Sequence, residues 1–416
     1  MTVATDRRVA VTGIGVVTPI GIGKVAFWEA ALAGRSGVGR PTLIEHPDLP
    51  VKVIGEVTDF DAADHMNMKV AVRTDRNTHF SFAACTEGLE DAGLDLAAED
   101  ASRVGLVMAS NYGGLRYFLD NLVKLHQRGP SFVSAYMAIA WIPSAPVGQL
   151  SIRHGIHGYA KTIVNDAAGG TDAIGTAFRA IRRGDADIII AGGFEAAVAE
   201  AAIAGLAAFD EICKDADDPA TAFRPFNAER PGIVIGEGGG VVILEELERA
   251  RERGAPIYGE IAGFAQTSDA RSLKAFDPEG VQYARAMTLA MEQASLGPKD
   301  IGYVNADGRG TEPGDRSEAR ALGRVFGERS DGPPVSAPKS MVGNTLSGAG
   351  AIDLAFTLLA MRDGVLAPTI NLERQDPECP LDLVAGGPRA VTVDAALVGS
   401  RGTSGVNAVL AVRRAG

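Results

Sequence analysis

Three loops of this sequence carry the residue types and spacing of a reaction centre. The first, KTIVNDAAGGTDAIG (161–175), is a β-branched run that passes through small residues into a helix, as a nucleophile elbow does. The second, YVNADGRGTEPGDRSEA (303–319), is a strand, a loop and a capped helix start. The third, APKSMVGNTLSGAGAIDLAF (337–356), sets a lysine and an asparagine in a glycine-rich loop before a helix. Such turns present side chains beside the backbone N–H groups of helix N-termini, so each loop is a candidate for reaction chemistry.

The distribution of histidine and cysteine limits that chemistry. All six histidines lie at or before His157, so any mechanism that needs a histidine from residues 158–416 is excluded. The cysteines, Cys85, Cys213 and Cys379, are scattered without the spacing of a metal site. We therefore expect a reducing compartment and no bound metal.

Length, charge and hydropathy narrow the class of protein. A chain of 416 residues with 46% hydrophobic and 22% charged residues can bury a large core, in two or three domains or two large halves. Its net charge of −12 argues against nucleic acid as a partner. The apolar stretch at 188–209 is interrupted by Glu195 and Glu200, which favours a strand followed by a helix over a membrane span. The N-terminal MTVATDRRVAV lacks the features of a signal peptide, so a cytoplasmic protein is expected.

Alternating strands and helices must position the three loops. Short apolar runs predict strands at 8–16, 104–108, 162–164, 188–191, 241–245, 258–263, 303–305 and 409–412. Amphipathic patterns predict helices near 69–92, 114–127, 170–184, 195–208, 280–294, 315–327 and 350–363. This alternation is typical of an α/β protein whose sheets are covered by helices.

Two of these helices resemble each other. Gly170–Gly184 and Gly350–Gly364 have equal length, follow turns rich in small residues, and end at glycine, the favoured residue after a helix. Chance similarity between two alanine-rich helices is one explanation. The other is a duplicated chain, which we divide into residues 1–255 and 256–416.

Five further segments join the three loops in a resemblance to the β-ketoacyl synthase family of the thiolase fold. They are RVAVTGIGVVTPIG (8–21), GPSFVSAYMAIAW (129–141), GQLSIRHGIHG (148–158), RPFNAERPGIVIGEGGG (224–240) and GTSGVNAVL (402–410). The resemblance covers almost the whole chain in order and spacing. It implies a thiolase-like five-layer α-β-α-β-α fold made of two duplicated halves.

The resemblance fails at the residues that react. An active member of the family has a cysteine at the elbow and a histidine in each of the other two loops, where this chain has Ala167, Asp307 and Asn344; the family lysine is present as Lys339. Alanine has no nucleophilic atom. An ionised Asp307 would repel a developing enolate, and Asn344 can donate a hydrogen bond but cannot shuttle a proton. We therefore expect the chain not to be an enzyme on its own.

This pattern is similar to the chain-length factor, or ketosynthase β-subunit, of type II polyketide synthases. The segments at 306–308, 338–341 and 134–141 resemble that branch. The resemblance implies a heterodimer with an active ketosynthase α-subunit, and an acyl carrier protein that brings the growing polyketide. The complex, an acyltransferase of secondary-metabolite biosynthesis, would condense malonyl-carrier units decarboxylatively, with no cofactor. Many chain-length factors carry glutamine at the elbow, so no role of that glutamine transfers to Ala167.

One helix resembles the tunnel wall of that branch. In LRYFLDNLVKLHQRG (115–129), Leu115, Phe118 and Leu122 form one stripe at positions i, i+3 and i+7. An ordinary buried stripe has the same pattern. By resemblance, these residues line the end of the tunnel that binds the polyketide, and Phe118 is its main steric stop.

Other interpretations remain open. The chain could be a stand-alone carrier-linked malonyl decarboxylase or hydrolase that uses Asp307 and Lys339, or a purely structural pseudoenzyme. Trp141 fits the subunit interface or the tunnel wall. Asp166, beside the elbow alanine, has no base or nucleophile partner in sequence and is expected to make a structural hydrogen bond.

Overall fold

A computed structural model describes residues 7–44, 48–208, 211–327 and 332–416. Its strands are β1 (Val9–Thr18), β2 (Gly21–Ile22), β3 (Val38–Gly39), β4 (Ile54–Gly55), β5 (Val104–Ala109), β6 (Ala160–Ile163), β7 (Ile188–Glu195), β8 (Gly238–Glu246), β9 (Gly259–Ser268), β10 (Tyr303–Asn305), β11 (Val335–Ser336), β12 (Val365–Leu366), β13 (Arg389–Ala390), β14 (Ala395–Arg401) and β15 (Val406–Arg413). Its helices are α1 (Lys24–Leu32), α2 (Met68–Ala71), α3 (Arg76–Asp91), α4 (Leu115–Arg128), α5 (Met137–Ala140), α6 (Ala145–His154), α7 (Gly169–Arg183), α8 (Glu200–Ala208), α9 (Leu247–Glu252), α10 (Val281–Ala294), α11 (Glu312–Phe326) and α12 (Ala349–Asp363).

The main sheet consists of two halves with the same topology. Its spatial order is β11-β10-β14-β15-β9-β1-β8-β7-β5-β6, and β1 pairs antiparallel with β9 where the halves meet. When the strands of each half are numbered in chain order, both halves have the same spatial order. From the outer edge to the middle of the sheet, that order is third, second, fourth, fifth and first strand. The pairing directions match too, with three parallel strands followed by two antiparallel ones in each half. The predicted duplication is therefore present, and the boundary that we propose at 255–256 lies between α9 and β9.

Two central helices separate the halves of the sheet. Helices α7 and α12 contact each other and strands of both halves, while α3 covers β1 and β8 and α10 covers β9 and β15 on the outside. These contacts give the five layers of the thiolase-like fold. Residues Ala349–Met361 of α12 are buried on every side, so this helix is apolar all round except for Asp353 and Thr357.

Three differences between the predicted and observed elements have physical reasons. The helix expected at 69–92 is interrupted because Asp75 caps α3, and its carboxylate accepts the backbone N–H groups of Asn77 and Tyr117. Strand β7 continues to Glu195, where helix had been expected, because that buried carboxylate accepts the backbone N–H of Asn111, in the loop after the neighbouring strand β5. Strand β14 was not predicted at all, since its glycine, serine and arginine obscure the apolar pattern. Within the described ranges, no helix is long and apolar enough to cross a membrane.

We expect Gly175→Ala to lower the stability of the protein. A Cβ at Gly175 of α7 would lie 2.2 Å from Cγ of Phe264 on β9, a ring that is itself buried. Overpacking of this kind costs about 2 kcal/mol of unfolding free energy. Gly205→Ala is the matched control, because this exposed helical glycine has open space around it and alanine there should add up to about 1 kcal/mol. Urea unfolding of both variants measures the difference; equal stabilities would contradict the assigned packing.

Candidate functional site

The first loop forms the predicted elbow. After β6 the chain makes a tight turn at Asp166–Ala168 and enters α7 directly. Asp166 has a φ of 49°, a left-handed conformation that is strained for a residue with a side chain. This turn places Ala167 at the N-terminal end of the helix, where it is 2% exposed. The elbow has the shape that presents a nucleophile, with a methyl group in the nucleophile's place.

The third loop forms a matching turn in the second half. Leu346 has the same φ of 49°, and the turn Leu346–Gly348 leads directly into α12. Just before it, the side-chain oxygen of Asn344 accepts the N–H of Leu346 at 3.0 Å. Among the described residues the amide nitrogen of Asn344 has no hydrogen-bond partner, and it can donate one to a ligand.

Ala167 and Asn344 line the same pocket. Together with its open mouth, the pocket encloses about 570 Å³ of space not filled by protein atoms. Its aliphatic wall consists of Leu206, Ile212, Ile233, Ile235 and Leu346, and its polar wall of Asp166, Glu211, Lys274, Arg309 and Thr403. An aliphatic cavity with a few convergent polar groups is the usual form of a small-molecule site.

Asp307 and Lys339 lie in a buried cluster of charges outside this lining. The Lys339 ammonium is 2.9 Å from Asp353 and 3.6 Å from Asp307. The Asp307 carboxylate also accepts the backbone N–H of Arg401 at 3.2 Å. All of these groups are at most 3% exposed, so each charge needs its partner. The charge of Lys339 is thus balanced by two neighbouring carboxylates, outside the pocket that Ala167 lines.

A third carboxylate holds the loop of Asp307 in place. Glu318 of α11 accepts the backbone N–H groups of Asp307 and Gly308, both at 2.8 Å. Burial, with the nearby charge of Asp307, raises the pKa of Glu318 to about 7. Burial also raises the pKa of Asp353 to about 6. For Lys339, burial lowers the pKa but the charges of Asp353 and Asp307 raise it by more, so the ammonium stays charged.

The stripe on α4 lies on a different part of the molecule. Leu115, Phe118 and Leu122 are all half-buried. The ring of Phe118 stacks on Trp141 with centroids 4.8 Å apart. Leu122 lines an open groove between α4 and the start of α8. The structure therefore separates this stripe from the pocket that Ala167 lines.

One pocket residue escaped the sequence analysis. The Arg309 guanidinium is 5% exposed, lines the pocket and donates to the hydroxyl of Thr403 at 2.8 Å. A long charged side chain between Gly308 and Gly310, in the loop that leads to a helix, was the available signal.

Comparisons with known proteins agree with the fold and bear on its chemistry. Models of the β-ketoacyl synthase N-terminal and C-terminal domains match residues 6–250 and 258–373. The 3-oxoacyl-[acyl-carrier-protein] synthase 2 of Staphylococcus aureus (strain COL) is 40% identical over 98% of this chain and 99% of its own. Two similar structures are a type II polyketide synthase acyl-carrier protein in complex with its ketosynthase bound to the hexaketide, and the ishigamide ketosynthase/chain length factor. Their TM-scores are both 0.91, with 30% and 29% identity, 98% and 99% of this chain covered, and 100% of each matched chain.

The first of these relatives corrects one expectation. We expected a chain that is not an enzyme on its own, but its relative at 40% identity over nearly the full length is named as a synthase. That expectation is wrong as a statement about the class of this protein. The expectation rested on three side chains, whereas the likeness to this synthase extends over nearly the whole chain.

The buried charge cluster predicts how Lys339→Met should behave. Removing the ammonium leaves Asp353 and Asp307 buried without it, at a cost of about 3–5 kcal/mol of unfolding free energy at neutral pH. In the folded variant the two buried carboxylates keep protons that the unfolded chain releases. The unfolding free energy that the variant loses, relative to the unsubstituted protein, should therefore grow as pH rises from about 5 to about 7.5. Denaturant unfolding at both pH values measures it, with the exposed Lys299→Met as control. Equal deficits at the two pH values would count against the ion pairs.

Proposed function

The chain belongs to the β-ketoacyl synthase family, and from this premise we propose that it is the chain-length-determining subunit of a type II polyketide synthase. The observation that carries the proposal is the elbow, which keeps its shape but has Ala167 in place of a nucleophile. Covalent attachment of the growing chain then takes place on the cysteine of an active ketosynthase partner. An acyl carrier protein delivers malonyl units to the heterodimer, which condenses them with loss of carbon dioxide.

An exposed sheet edge supports the binding of a partner chain. Strand β6 is the last strand of the sheet, and the residue after it, Val164, is 62% exposed. The loop beside this edge is joined to it by the bond from the Ser110 N–H to the carbonyl of Ile163. Two residues further on, Tyr112 is also exposed. An open edge with exposed apolar side chains is a surface that another chain can cover.

The stack of Phe118 and Trp141 supports the tunnel assignment. Trp141 is 39% exposed, although its ring packs on Phe118. A rigid aromatic pair at the surface fits the end of a tunnel that the partner completes. Phe118 is the bulkiest member of its stripe, so we propose that it is the main steric stop, with Leu115 and Leu122 beside it.

A second candidate function is decarboxylation of a carrier-bound malonyl group by this chain itself. It is favoured by the pocket beside Ala167, where the Asn344 amide faces the cavity, and by the enzyme relative. Asp307 and Lys339, the groups first considered for this chemistry, pair with each other instead. The reacting groups would then be Asn344 and Arg309.

We expect a tagged chain purified from its native host to bring a stoichiometric second chain of similar size. That chain should contain an elbow cysteine and two loop histidines, identified by mass spectrometry. Val164→Asp should reduce its yield severalfold, because a charge on the exposed edge must be desolvated in the interface. Val25→Asp, at an equally exposed valine of α1, should not. A homodimer that turns over malonyl carrier protein would instead favour the second candidate.

Phe118→Ala should lengthen the product of the reconstituted heterodimer by about one malonyl-derived unit, since the lost ring leaves a void at the tunnel end. Mass spectrometry of the released polyketides measures the length. Lys124→Ala, at an exposed position of the same helix, is the control. An unchanged product distribution in a fully assembled Phe118→Ala heterodimer would reject Phe118 as the stop.

A further inference from the structure

Residues 114–141 form an arm whose two ends meet. The arm contains α4, the turn at Pro130–Phe132 and α5, and it carries both Phe118 and Trp141. Its base is closed by the backbone N–H of Gly114, which donates to the carbonyl of Trp141 at 3.0 Å. Because its ends are joined, the arm can shift as one unit about this base.

The arm has few buried contacts with the rest of the chain. In the described stretch 115–139, Asn121 is the one buried residue. Its side-chain amide donates to the carbonyl of Tyr117 and accepts the backbone N–H of Ser134, so it joins two parts of the arm to each other. Helix α4 thus lacks the fully buried apolar stripe that normally fixes a surface helix.

The carboxylate of Asp75 links the arm to α3. One of its oxygens caps α3 by accepting the N–H of Asn77 at 3.0 Å, and the other accepts the N–H of Tyr117, in the first turn of α4, at 2.8 Å. Asp75 is 3% exposed, so water does not compete for these bonds. Burial raises the pKa of Asp75 to about 6, so the group is ionised at about pH 8. Hydrogen bonds to an ionised group are roughly twice as strong as those between neutral groups.

Two further polar links to the arm come from arginines in contact with water. Arg116 of the arm donates to the carbonyl of Leu43 at 3.3 Å. The guanidinium of the exposed Arg73 lies 4.8 Å from the centroid of the Tyr136 ring. Long side chains of this kind keep much rotational freedom, so they fix the arm less firmly than a buried carboxylate does.

We propose that Asp75 is a positioning residue for α4: the oxygen that binds the Tyr117 N–H sets where the arm, and with it Phe118, lies relative to the sheet. The geometry requires a carboxylate, because one side chain must offer an acceptor to each of two helices. Asparagine and serine cap helices as well as aspartate does, but each has a single side-chain oxygen. The consequence for product length rests on the proposed function, whereas the link between α3 and α4 does not.

Asp75→Asn separates the two roles of this side chain. The amide oxygen can still cap α3, but the NH2 group that replaces the second oxygen meets the Tyr117 N–H donor against donor. In the full chain at about pH 8, we expect hydrogen–deuterium exchange of the α4 amides to become about tenfold faster, while the α3 amides keep their rate. This change corresponds to about 1.4 kcal/mol less free energy of opening. Assembled with its ketosynthase partner, Asp75→Asn should also broaden the distribution of product lengths.

Two more variants complete the test. Asp95→Asn is the matched control, because Asp95 is exposed and caps the turn at Leu96–Ala98, and it should change neither measurement. Should Asp75→Asn fail to unfold cooperatively, Asp75→Ser keeps a capping oxygen, is too short to reach α4, and should give the same two results.

The two measurements distinguish failure of the positioning role from failure of the proposed function. Exchange of the α4 amides at the rate of the unsubstituted chain, in a folded Asp75 variant, would overturn the positioning role. That role is also rejected if Phe118→Ala changes product length in the heterodimer and Asp75→Asn does not. If α4 exchange accelerates but neither variant changes product length, the link to α4 stands and the proposed function fails.

Discussion

The N-terminal ends of α7 and α12 lie so close together that their contact leaves no room for side chains. A Cβ at Gly350 would lie 2.2 Å from the hydroxyl of Thr171, and one at Gly170 would lie 2.7 Å from the carbonyl of Ser347. Small residues at these positions let two buried helices meet between the sheet halves. Because each helix begins directly at its turn, this contact also brings together the turns of Asp166 and Leu346, each of which has a left-handed backbone conformation. The pocket, the elbow and the five layers all depend on this approach.

Buried charge is the second constraint on the centre. An acidic side chain at 307 would be costly if it were unpaired, since moving an ion out of water costs several kcal/mol even after the protein relaxes. Here Asp307 lies beside Lys339 and accepts the N–H of Arg401, while Glu318 accepts the backbone N–H of Asp307 itself. Lys339 thus balances charge that the buried carboxylates of this loop would otherwise leave unpaired.

Structural features that depend on a local sequence pattern could be predicted from the sequence. Features that depend on contacts between distant parts of the chain could not. The equal helices ending at Gly184 and Gly364 were predicted because their periodicity and C-terminal glycines are local signals, and they exposed the duplication. The interruption of the predicted helix before α3 was not foreseen, because the Asp75 carboxylate is held by the backbone N–H of Tyr117, far along the chain. Arg309 was missed for the same reason: its role depends on Thr403, almost a hundred residues away. The resemblance identified the family, but the inference from three lost side chains to a chain that is no enzyme was wrong, because those side chains do not define the class.

The backbones at positions 167, 307 and 344 are each held by contacts with neighbouring segments. Ala167 follows the turn that the bond from Thr403 to Asp166 stabilises. The backbone of Asn344 donates to Val234 and accepts from Gly236. The N–H of Asp307 is bound by Glu318. The backbone at 167 is therefore fixed without help from the Ala167 side chain, whereas Asp307 and Asn344 also contribute side-chain hydrogen bonds, by accepting the N–H groups of Arg401 and Leu346.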